Sequence, residues 1–422
     1  MSSSPVIDQG PDSNFACTIF RAPWVVPVSS PVLNDGAVVV GRNRIIAVGS
    51  YHELALRFPD LPSTFCQGIL LPALVNAHIH LDLSVMGTVY PDSFDSTMCD
   101  WISVLLQKRE AANFSQEEIE AAAAKTVSDQ YASGVGLMLD IGNLSLQRRD
   151  STSIEIISLL EMLGPSQAGQ QAVIATLSDL ADNLPVTAHS PYSTGPDLLK
   201  FIKRRCRRQE TVFSFHLAEN EDEALLLVQG EGCFAKFLKQ RGAWDQTFPV
   251  QGIDSRRVVG YLEDLNILDD GTLCVHCVHL NDEEVKVLAG TGAHVCLCPG
   301  SNRFLGVGAA PLEKMLAAGI LPALGTDSIA SNTSLDLWQE MSILGQEHPR
   351  VDPASILAMA TIGGAIALHR EVDFGSLAPN RRATFLHVQG SEYAKAEDAE
   401  QLLECLTSCG RPESVTWVNA ES

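Results

Sequence analysis

Short apolar runs alternate with helix-like segments over residues 71–372, and this alternation restricts the fold more than any other feature of the sequence. Apolar runs of about four to eight residues followed by helical patterns are typical of βα units that build a parallel sheet. Several runs end on a polar side chain, and functional groups lie at the carboxyl ends of strands in parallel barrels. The pattern predicts an α/β fold with a (β/α)₈ TIM-like barrel over residues 71–372. The runs lie at 135–140, 185–189, 211–216, 273–276, 293–298 and 320–325.

One helix of this region has clear signals at both ends. Ser115 followed by Glu118 is the pattern of a capping box, in which each side chain bonds the other residue's backbone. Gly134 is suited to ending the helix ahead of the apolar run 135–140. We therefore predict a helix from Ser115 to about Ser133.

The two ends of the chain have a different pattern. Residues 36–40 and 44–48 are short β-like runs separated by glycine and asparagine, which is typical of hairpins. Residues 375–379 resemble a turn and residues 383–388 a strand. If both ends share one small sheet, residues 1–70 and 373–422 form a discontinuous domain that brackets the barrel at 71–372.

Composition excludes several classes of partner. The 422 residues are 45% hydrophobic, enough for a large core, and 29 basic against 51 acidic residues give a net charge of −22. Such a charge repels phosphate backbones and anionic lipids, so neither nucleic acid nor membrane is an expected partner. No apolar run approaches the ~20 residues of a membrane span, and residues 1–15 are polar, unlike a signal peptide. Eleven scattered cysteines suggest reduced thiols, so we expect a cytoplasmic protein.

Four of the cysteines have the two-plus-two arrangement of a structural zinc site. They are Cys274, Cys277, Cys296 and Cys298. One residue separates the second pair where zinc sites usually have two, and the run 293–298 alternates as a buried strand does. We therefore predict that these cysteines are buried on strands and do not bind zinc.

Two histidines separated by one residue, His78 and His80, close the apolar segment 71–80. Side chains at positions i and i+2 of a strand point the same way, so both imidazoles can reach one metal ion. The alternative is a hydrogen-bonded histidine pair near a strand end.

Further polar residues end other apolar runs. His216 closes the run 211–216, and Glu219 follows three residues later, where a carboxylate can lie beside a metal without binding it. Asp327 follows the run 320–325 and could bind metal or accept a proton, although an aspartate there can also cap a helix. Candidates at several strand ends together predict a metal site.

The order and flanks of these motifs resemble the amidohydrolase superfamily, and within it the cytosine deaminase-like and triazine hydrolase-like branch. The resemblance spans nearly the whole chain and implies a (β/α)₈ barrel with a small β-sandwich domain formed from both chain ends. The matching segments are LVNAHIHLDLS (74–84), AHSPYS (188–193), HLAE (216–219), HCVHL (276–280), CPGSN (298–302) and GTDSIASN (325–332).

The resemblance implies roles by position. The family's metal ligands match His78, His80, His216 and Asp327. Glu219 matches the acid that moves protons, His276 matches the histidine that faces the reacting group, and Asp327 can also take the proton of water. Two-metal members use a carboxylated lysine after the fourth strand, and residues 185–193 contain no lysine. The resemblance thus implies one divalent metal ion, zinc or iron, since imidazoles and a carboxylate suit either.

The implied reaction is hydrolytic deamination of an aminated N-heterocycle. The segment LDLS at 81–84 is closer to aminodeoxyfutalosine deaminase-like members than to thiomethyladenosine and adenosylhomocysteine deaminases. The predicted substrate is therefore a 6-aminopurine nucleoside, with aminodeoxyfutalosine of menaquinone biosynthesis as the specific choice. Alternatives are guanine or cytosine deamination, triazine dechlorination, or a non-catalytic scaffold, although such relatives typically lose metal ligands.

A set of residues is predicted to bind this small-molecule substrate. They are Asp82, Arg109, Glu110, Glu161, His189 and Ser331. Arg109 and Glu110 could instead form a solvated helix end, and His189 could be a buried structural histidine. Gly300 stands where the branch usually has arginine, and we expect this difference to alter the loop that frames the substrate. A homodimer is the default expectation for a soluble enzyme.

Overall fold

The computed structural model describes residues 17–91, 93, 96–143, 154–180, 183–245, 247–250 and 252–418. The polar stretch 1–15, used in the argument against a signal peptide, lies outside the described residues. The strands of the described chain are β1 (Thr18–Val25), β2 (Leu33–Gly41), β3 (Arg44–Ser50), β4 (Ser63–Phe65), β5 (Ile69–Pro72), β6 (Leu74–Ile79), β7 (Val135–Gly142), β8 (Glu155–Met162), β9 (Val186–Ala188), β10 (Phe213–Leu217), β11 (Thr272–His276), β12 (His294–Leu297), β13 (Ala323–Leu324), β14 (Phe385–Val388) and β15 (Val415–Val418).

The helices lie mostly between these strands. In the described chain they are α1 (Tyr51–Arg57), α2 (Met98–Ala112), α3 (Gln116–Ala132), α4 (Gln167–Asp179), α5 (Pro196–Gln209), α6 (Glu221–Gln229), α7 (Gly232–Gln240), α8 (Arg257–Asp264), α9 (Asp282–Thr291), α10 (Pro299–Leu305), α11 (Leu312–Ala317), α12 (Leu337–Glu347), α13 (Pro353–Ala358), α14 (Gly364–Ala367) and α15 (Ala399–Cys409). A π-helical turn at Met359–Gly363 joins α13 to α14. No helix among the described residues is both long and apolar enough to cross a membrane.

The middle of the described chain builds two parallel sheets of four strands each. Their strand orders are β6-β7-β8-β9 and β10-β11-β12-β13, each in chain order, which confirms the predicted α/β class with parallel strands. Each apolar run predicted from the sequence overlaps one of these strands. Strand β8 was not among the predicted runs.

Hydrogen bonds join the outer strands of the two parallel sheets on both sides. The backbone N–H of His216 donates to the carbonyl of His189 at 2.8 Å. On the other side, the N–H of Asp327 donates to the carbonyl of His78 at 3.1 Å, and Ile79 forms a parallel bridge with Asp327. The carboxyl ends of β6, β9, β10 and β13 therefore lie next to one another.

Both faces of most of the parallel strands are buried, whereas on β8 only Leu159 is. One face, including Met138 and Phe215, packs in the large core that also contains the helices. The other, including Val75, Leu137 and Val275, packs in a separate apolar cluster. Burial on both faces explains why these strands read as continuous apolar runs without alternation.

The third sheet of the described chain combines both ends of the sequence. It has seven strands in the order β15-β14-β5-β1-β2-β3, with β4 paired to β1. The central contact is antiparallel pairing of β14 with β5, which aligns Leu386 with Leu71. One sheet shared by both ends was expected, and β5 runs to Pro72, across the predicted boundary at residue 70.

Helix α3 forms as its end signals indicate. The Ser115 side chain accepts from the N–H of Glu118, and the Glu118 side chain accepts from the N–H of Ser115, which completes the capping box. The helix ends at Ala132, and β7 begins at Val135. Helix α15, in contrast, was not predicted, although Asp398 caps it and its leucines are buried.

A disulfide joins Cys99 of α2 to Cys233 of α7, across 134 residues of sequence, with Cα atoms 5.9 Å apart. The expectation of reduced thiols is therefore wrong for this pair. The other nine cysteines are free. Spacing along a sequence does not reveal such a pair, because tertiary packing alone brings two distant helices together.

Candidate metal centre

Four side chains predicted as metal ligands converge at the carboxyl ends of three strands. His78 lies on β6 and His80 directly follows it, while His216 lies on β10 and Asp327 follows β13. All four are buried, and one ligand-type atom from each lies within 4.8 Å of the others. Nε2 of His80 is 3.1 Å from Nε2 of His78 and 3.3 Å from Oδ1 of Asp327. The structure thus assembles the predicted ligand set.

The states of three of these donor groups fit a divalent metal ion; for His80, burial lowers the pKa, but the charges of Asp327 and Glu161 outweigh burial and raise it. Nε2 of His216 is buried and has no hydrogen-bond partner. Burial holds the pKa of His78 and of His216 well below the usual range, so each imidazole is neutral and keeps a free lone pair. Burial alone would raise the pKa of Asp327, but the hydrogen bond with His78 and the neighbouring imidazoles hold it well below the usual range. Imidazole nitrogens beside an ionised carboxylate form a site suited to zinc or iron.

Left-handed backbone conformations aim the strand-end residues into the site. The φ angles are 73° at His276, 56° at Asp327 and 48° at Ala218. A residue with a Cβ held in this region costs on the order of 1–3 kcal/mol and persists where the surroundings impose it. The surrounding structure therefore has to hold the turns after β10, β11 and β13 in these conformations.

Two serine hydroxyls hold the carboxylate of Asp327. Oγ of Ser301 and Oγ of Ser331 each donate to Oδ2 at 2.7 Å. Oδ1 is left facing His78 and His80, at 3.5 and 3.3 Å from their Nε2 atoms. Ser331 was predicted to bind substrate; its hydroxyl instead contacts Asp327, and a substrate contact stays a prediction.

Glu219 and His276 lie beside the four ligand residues. Oε2 of Glu219 is 3.5 Å from Nδ1 of His216, and Oε1 is 3.6 Å from Nε2 of His276. Oδ1 of Asn302 lies 2.9 Å from Nδ1 of His276 and orients the ring, while Nε2 has no hydrogen-bond partner. Burial raises the pKa of Glu219. A buried carboxyl group in this position is suited to carrying a proton at neutral pH.

Two of the predicted substrate residues, Glu161 and His189, adjoin the same group. Ligand-type atoms of Glu161, His189 and His216 lie within 4.8 Å of one another. The His189 ring stacks on His216 with centroids 4.9 Å apart, and its Nδ1 is 2.7 Å from Oγ of Ser193. Oε1 of Glu161 is buried without a hydrogen-bond partner, so this carboxyl group can accept from a bound molecule.

Three further predicted substrate residues line one cavity. Asp82, Arg109 and Glu110 face a cavity of about 410 Å³, and Nη2 of Arg109 lies 3.7 Å from Oδ2 of Asp82. The Arg109 side chain is 47% exposed and that of Asp82 only 5%. Among the described residues that line this cavity there is no metal ligand, but Asp82 follows His80 by two positions and links the two regions.

Sequence reasoning gave no role to several residues that support the site. Ser301 and Asn302 lay in a recognised motif, yet their contacts with Asp327 and His276 were not predicted. Asp140 accepts from the N–H of Leu81 at 3.0 Å and so fixes the backbone after His80, and burial raises its pKa to about 7. Its position as the polar end of the run 135–140 was the available signal.

The four clustered cysteines are buried free thiols, and Cys296 lies on β12. Burial raises the pKa of Cys274 to about 12 and the pKa of Cys277 well above its usual range. Such thiols stay protonated, and the thiolate is the form that binds metal. Among the described residues, no group with metal-ligand spacing includes a cysteine.

Comparisons with known proteins identify relatives over most of the chain. The amidohydrolase family model matches residues 69–406. A 5-methylthioadenosine/S-adenosylhomocysteine deaminase of Nitratidesulfovibrio vulgaris is 29% identical over 370 residues, which cover 82% of this chain and 78% of that protein.

Solved structures are similar over nearly the whole chain. The aminofutalosine deaminase of Helicobacter pylori, in complex with methylthio-coformycin, has a TM-score of 0.78 at 25% identity, covering 94% of this chain and 100% of that one. The atrazine chlorohydrolase of Arthrobacter aurescens, complexed with zinc, has a TM-score of 0.73 at 18% identity, covering 92% and 90%. The second likeness is one of fold alone.

Proposed function

The chain belongs to the amidohydrolase family, and from that premise we propose that it is a metal-dependent hydrolytic deaminase of a 6-aminopurine nucleoside. The family and the deaminase relatives make it a hydrolase that acts on carbon–nitrogen bonds other than peptide bonds. The observation that carries the proposal is the convergence of His78, His80, His216 and Asp327 within 4.8 Å, with Glu219 and His276 beside them.

One divalent ion, zinc or iron, would be held by His78, His80, His216 and Asp327. When bound, such an ion lowers the pKa of water toward about 7 and so supplies a nucleophile at neutral pH. The rest of the reaction falls to the side chains around it.

Each surrounding side chain has a defined task in deamination. Water adds to the ring carbon that bears the amino group, and Asp327 accepts a proton from that water. Glu219 protonates the ring nitrogen, takes the proton of the added hydroxyl group and passes it to the departing amine, which leaves as ammonia while the carbonyl forms. The proton held by Asp327 then returns Glu219 to its protonated starting state. His276, oriented by Asn302, stabilises the charge that develops on the attacking oxygen. A positioned acid–base group such as Glu219 typically contributes about 10²–10⁴-fold to the rate.

We also propose the finer architecture that this function requires. The two parallel sheets form one closed (β/α)₈ barrel over residues 71–372, and the ends 1–70 and 373–422 form a β-sandwich domain. The hydrogen bonds from His216 to His189 and from Asp327 to His78 support closure, because each joins the outer strands of the two sheets. In such a barrel the active site lies at the carboxyl ends of the strands.

Aminodeoxyfutalosine is the first specific substrate to test. The relative of known structure named for aminofutalosine covers 94% of this chain, and the motif at 81–84 favoured the same choice. We propose that Glu161 and His189 bind the purine side of the substrate, and that Asp82, Arg109 and Glu110 bind the group attached to its sugar. Methylthioadenosine and adenosylhomocysteine follow as the next candidates, from the name of the sequence relative.

The test is ammonia release by enzyme reconstituted separately with zinc and with iron(II). The panel contains aminodeoxyfutalosine, 5-methylthioadenosine, S-adenosylhomocysteine, adenosine, guanine, cytosine and a chlorotriazine. We expect turnover of the adenine nucleosides, fastest for aminodeoxyfutalosine, and an inosine-type ultraviolet spectrum in the product. Activity on guanine, cytosine or the triazine, with no turnover of any nucleoside, would overturn the proposal.

A further inference from the structure

A buried carboxyl group outside the reaction centre contacts both segments that hold Asp327. It belongs to Glu340, on α12, which is 1% exposed. Glu340 contacts no metal ligand in the hydrogen bonds described, and the proposed chemistry does not use it. A buried carboxyl group bonded only to neutral donors is costly, so its partners indicate what it does.

The first segment is the start of α10. Here Ser301 donates to Asp327 at 2.7 Å, and Asn302 lies 2.9 Å from the His276 ring. The backbone N–H of Gly300, one residue earlier, donates to Oε2 of Glu340 at 2.6 Å. Glu340 therefore fixes the turn that carries two groups in contact with the reaction centre.

The second segment is the turn after β13, at 326–332. Asn332 donates from Nδ2 to Oε1 of Glu340 at 2.9 Å and to the carbonyl of Thr326 at 3.0 Å. Between these residues lie Asp327 and Ser331, whose hydroxyl donates to Asp327. The Glu340 carboxyl group thus bonds to both turns, and each turn carries a serine that donates to Oδ2 of Asp327.

The residue at 300 is matched to this contact. A Cβ added to Gly300 would lie 2.4 Å from Oε1 of Glu340 and 2.7 Å from Nδ2 of Asn332, closer than real Cβ atoms approach. Glycine therefore permits the carboxyl group to reach the N–H. This gives a physical reason for glycine where the branch usually has arginine.

We infer that Glu340 is a positioning residue that sets the geometry of Asp327 and His276 by clamping the turns at 299–302 and 326–332. The loss of turnover expected from this inference rests on the proposed function. The loss of metal affinity does not depend on which substrate the enzyme uses.

The experiment compares Glu340→Gln with Glu347→Gln. Both oxygens of Glu340 accept from N–H donors, whereas the amide offers one oxygen and one NH₂ group. One of the two donors therefore loses its acceptor, and the clamp opens on that side. Glu347 lies on the same helix and pairs with Arg303 of α10 at 3.0 Å, three residues beyond Gly300. The control therefore loosens the same pair of helices without touching Gly300 or Asn332.

We expect Glu340→Gln to weaken zinc binding, measured by competition with a chromogenic chelator, by about 10-fold. Turnover should fall by about 10-fold in kcat with KM little changed, because Glu161, His189 and the cavity residues Asp82, Arg109 and Glu110 lie outside the clamped turns. Glu347→Gln should match wild type in both. Weakened zinc binding without activity on any substrate would support the clamp and count against the proposed function instead.

Gly300→Ala tests the same clamp from its other side. The added methyl group should displace Glu340 and reproduce the loss of zinc affinity, and the double variant should lose little more than either single one. Wild-type zinc affinity in folded Glu340→Gln or Gly300→Ala would overturn the inference. It would also be overturned if neither variant folds where Glu347→Gln does, since Glu340 would then support the fold as a whole.

Discussion

The reaction centre and the cavity beside it are built in different ways. In the reaction centre, His78, His216 and Asp327 are buried at strand ends, and two serine hydroxyls hold the carboxylate of Asp327 in place. In the cavity, Arg109 lies on α2, is 47% exposed, and approaches its acidic partner only to 3.7 Å. One region is constrained by several elements, whereas the other depends on single side chains.

This difference has a consequence for function. Rigid groups at strand ends can stabilise the same transition state in many relatives, because their geometry does not depend on the substituents of the substrate's ring. Residues on a helix and its loops can change without disturbing the metal ligands. We therefore expect large catalytic losses from changes in the reaction centre and modest, substrate-dependent losses from changes in the cavity.

The largest effect should come from Glu219→Gln. The amide cannot carry the proton from water to the leaving amine, so kcat should fall by about 10²–10⁴-fold while metal content stays at the wild-type level. Steady-state ammonia release and metal analysis measure the two quantities. Glu221→Gln, an exposed carboxyl change two residues away, is the matched control and should leave both unchanged.

Removing the hydrogen bonds that hold the Asp327 carboxylate should have a smaller effect on kcat. Ser301→Ala and Ser331→Ala each remove one hydroxyl from Oδ2, and loss of a group that orients a ligand typically costs 10–100-fold in metal affinity or activity. Chelator competition and kcat would be measured for each variant and for the pair. Unchanged metal affinity in the double variant would show that the reaction centre is no more constrained than the cavity.

The cavity should respond through KM. Arg109→Ala removes the guanidinium that faces Asp82, and we expect kcat/KM to fall several-fold for a nucleoside with a carboxylate substituent and less for adenosine. Lys108→Ala removes the same charge from a neighbouring exposed position and should have no such preference. An equal loss for both substrates would contradict a role for Arg109 in selecting the substituent.

The grouping of the candidate metal ligands could be predicted because they lie at strand ends. The runs before His78, His216 and Asp327 were readable as buried parallel strands, and the order of the motifs then indicated the ligands. The clamp could not be predicted, since Glu340 meets Gly300 only through the packing of α12 on α10. Helix α15 and the disulfide between α2 and α7 were not predicted for the same reason, because contacts between distant segments leave no local pattern in the sequence.

The smallest predicted effect concerns pH and stability. Glu223 accepts from the N–H of Ala218 at 2.9 Å in the turn before Glu219, and burial raises its pKa from 4.5 to about 8. A carboxyl group whose pKa is raised on folding contributes stability that is complete below about pH 4.5 and is lost as pH rises through about 8. Glutamine mimics the protonated form, so the melting temperature of Glu223→Gln relative to wild type should increase by a few degrees between pH 5 and pH 9. A constant difference across that range would contradict burial of this carboxyl group.

Metal stripping followed by reloading tests the central claim most directly. Chelator-treated enzyme, dialysed and assayed before and after addition of zinc or iron(II), is compared for ion content and ammonia release from adenine nucleosides. We expect about one ion per chain in active enzyme, loss of turnover on stripping, and recovery in proportion to the ion restored. Full turnover by enzyme with less than a trace of bound ion, or inactivity with the site loaded, would contradict that claim.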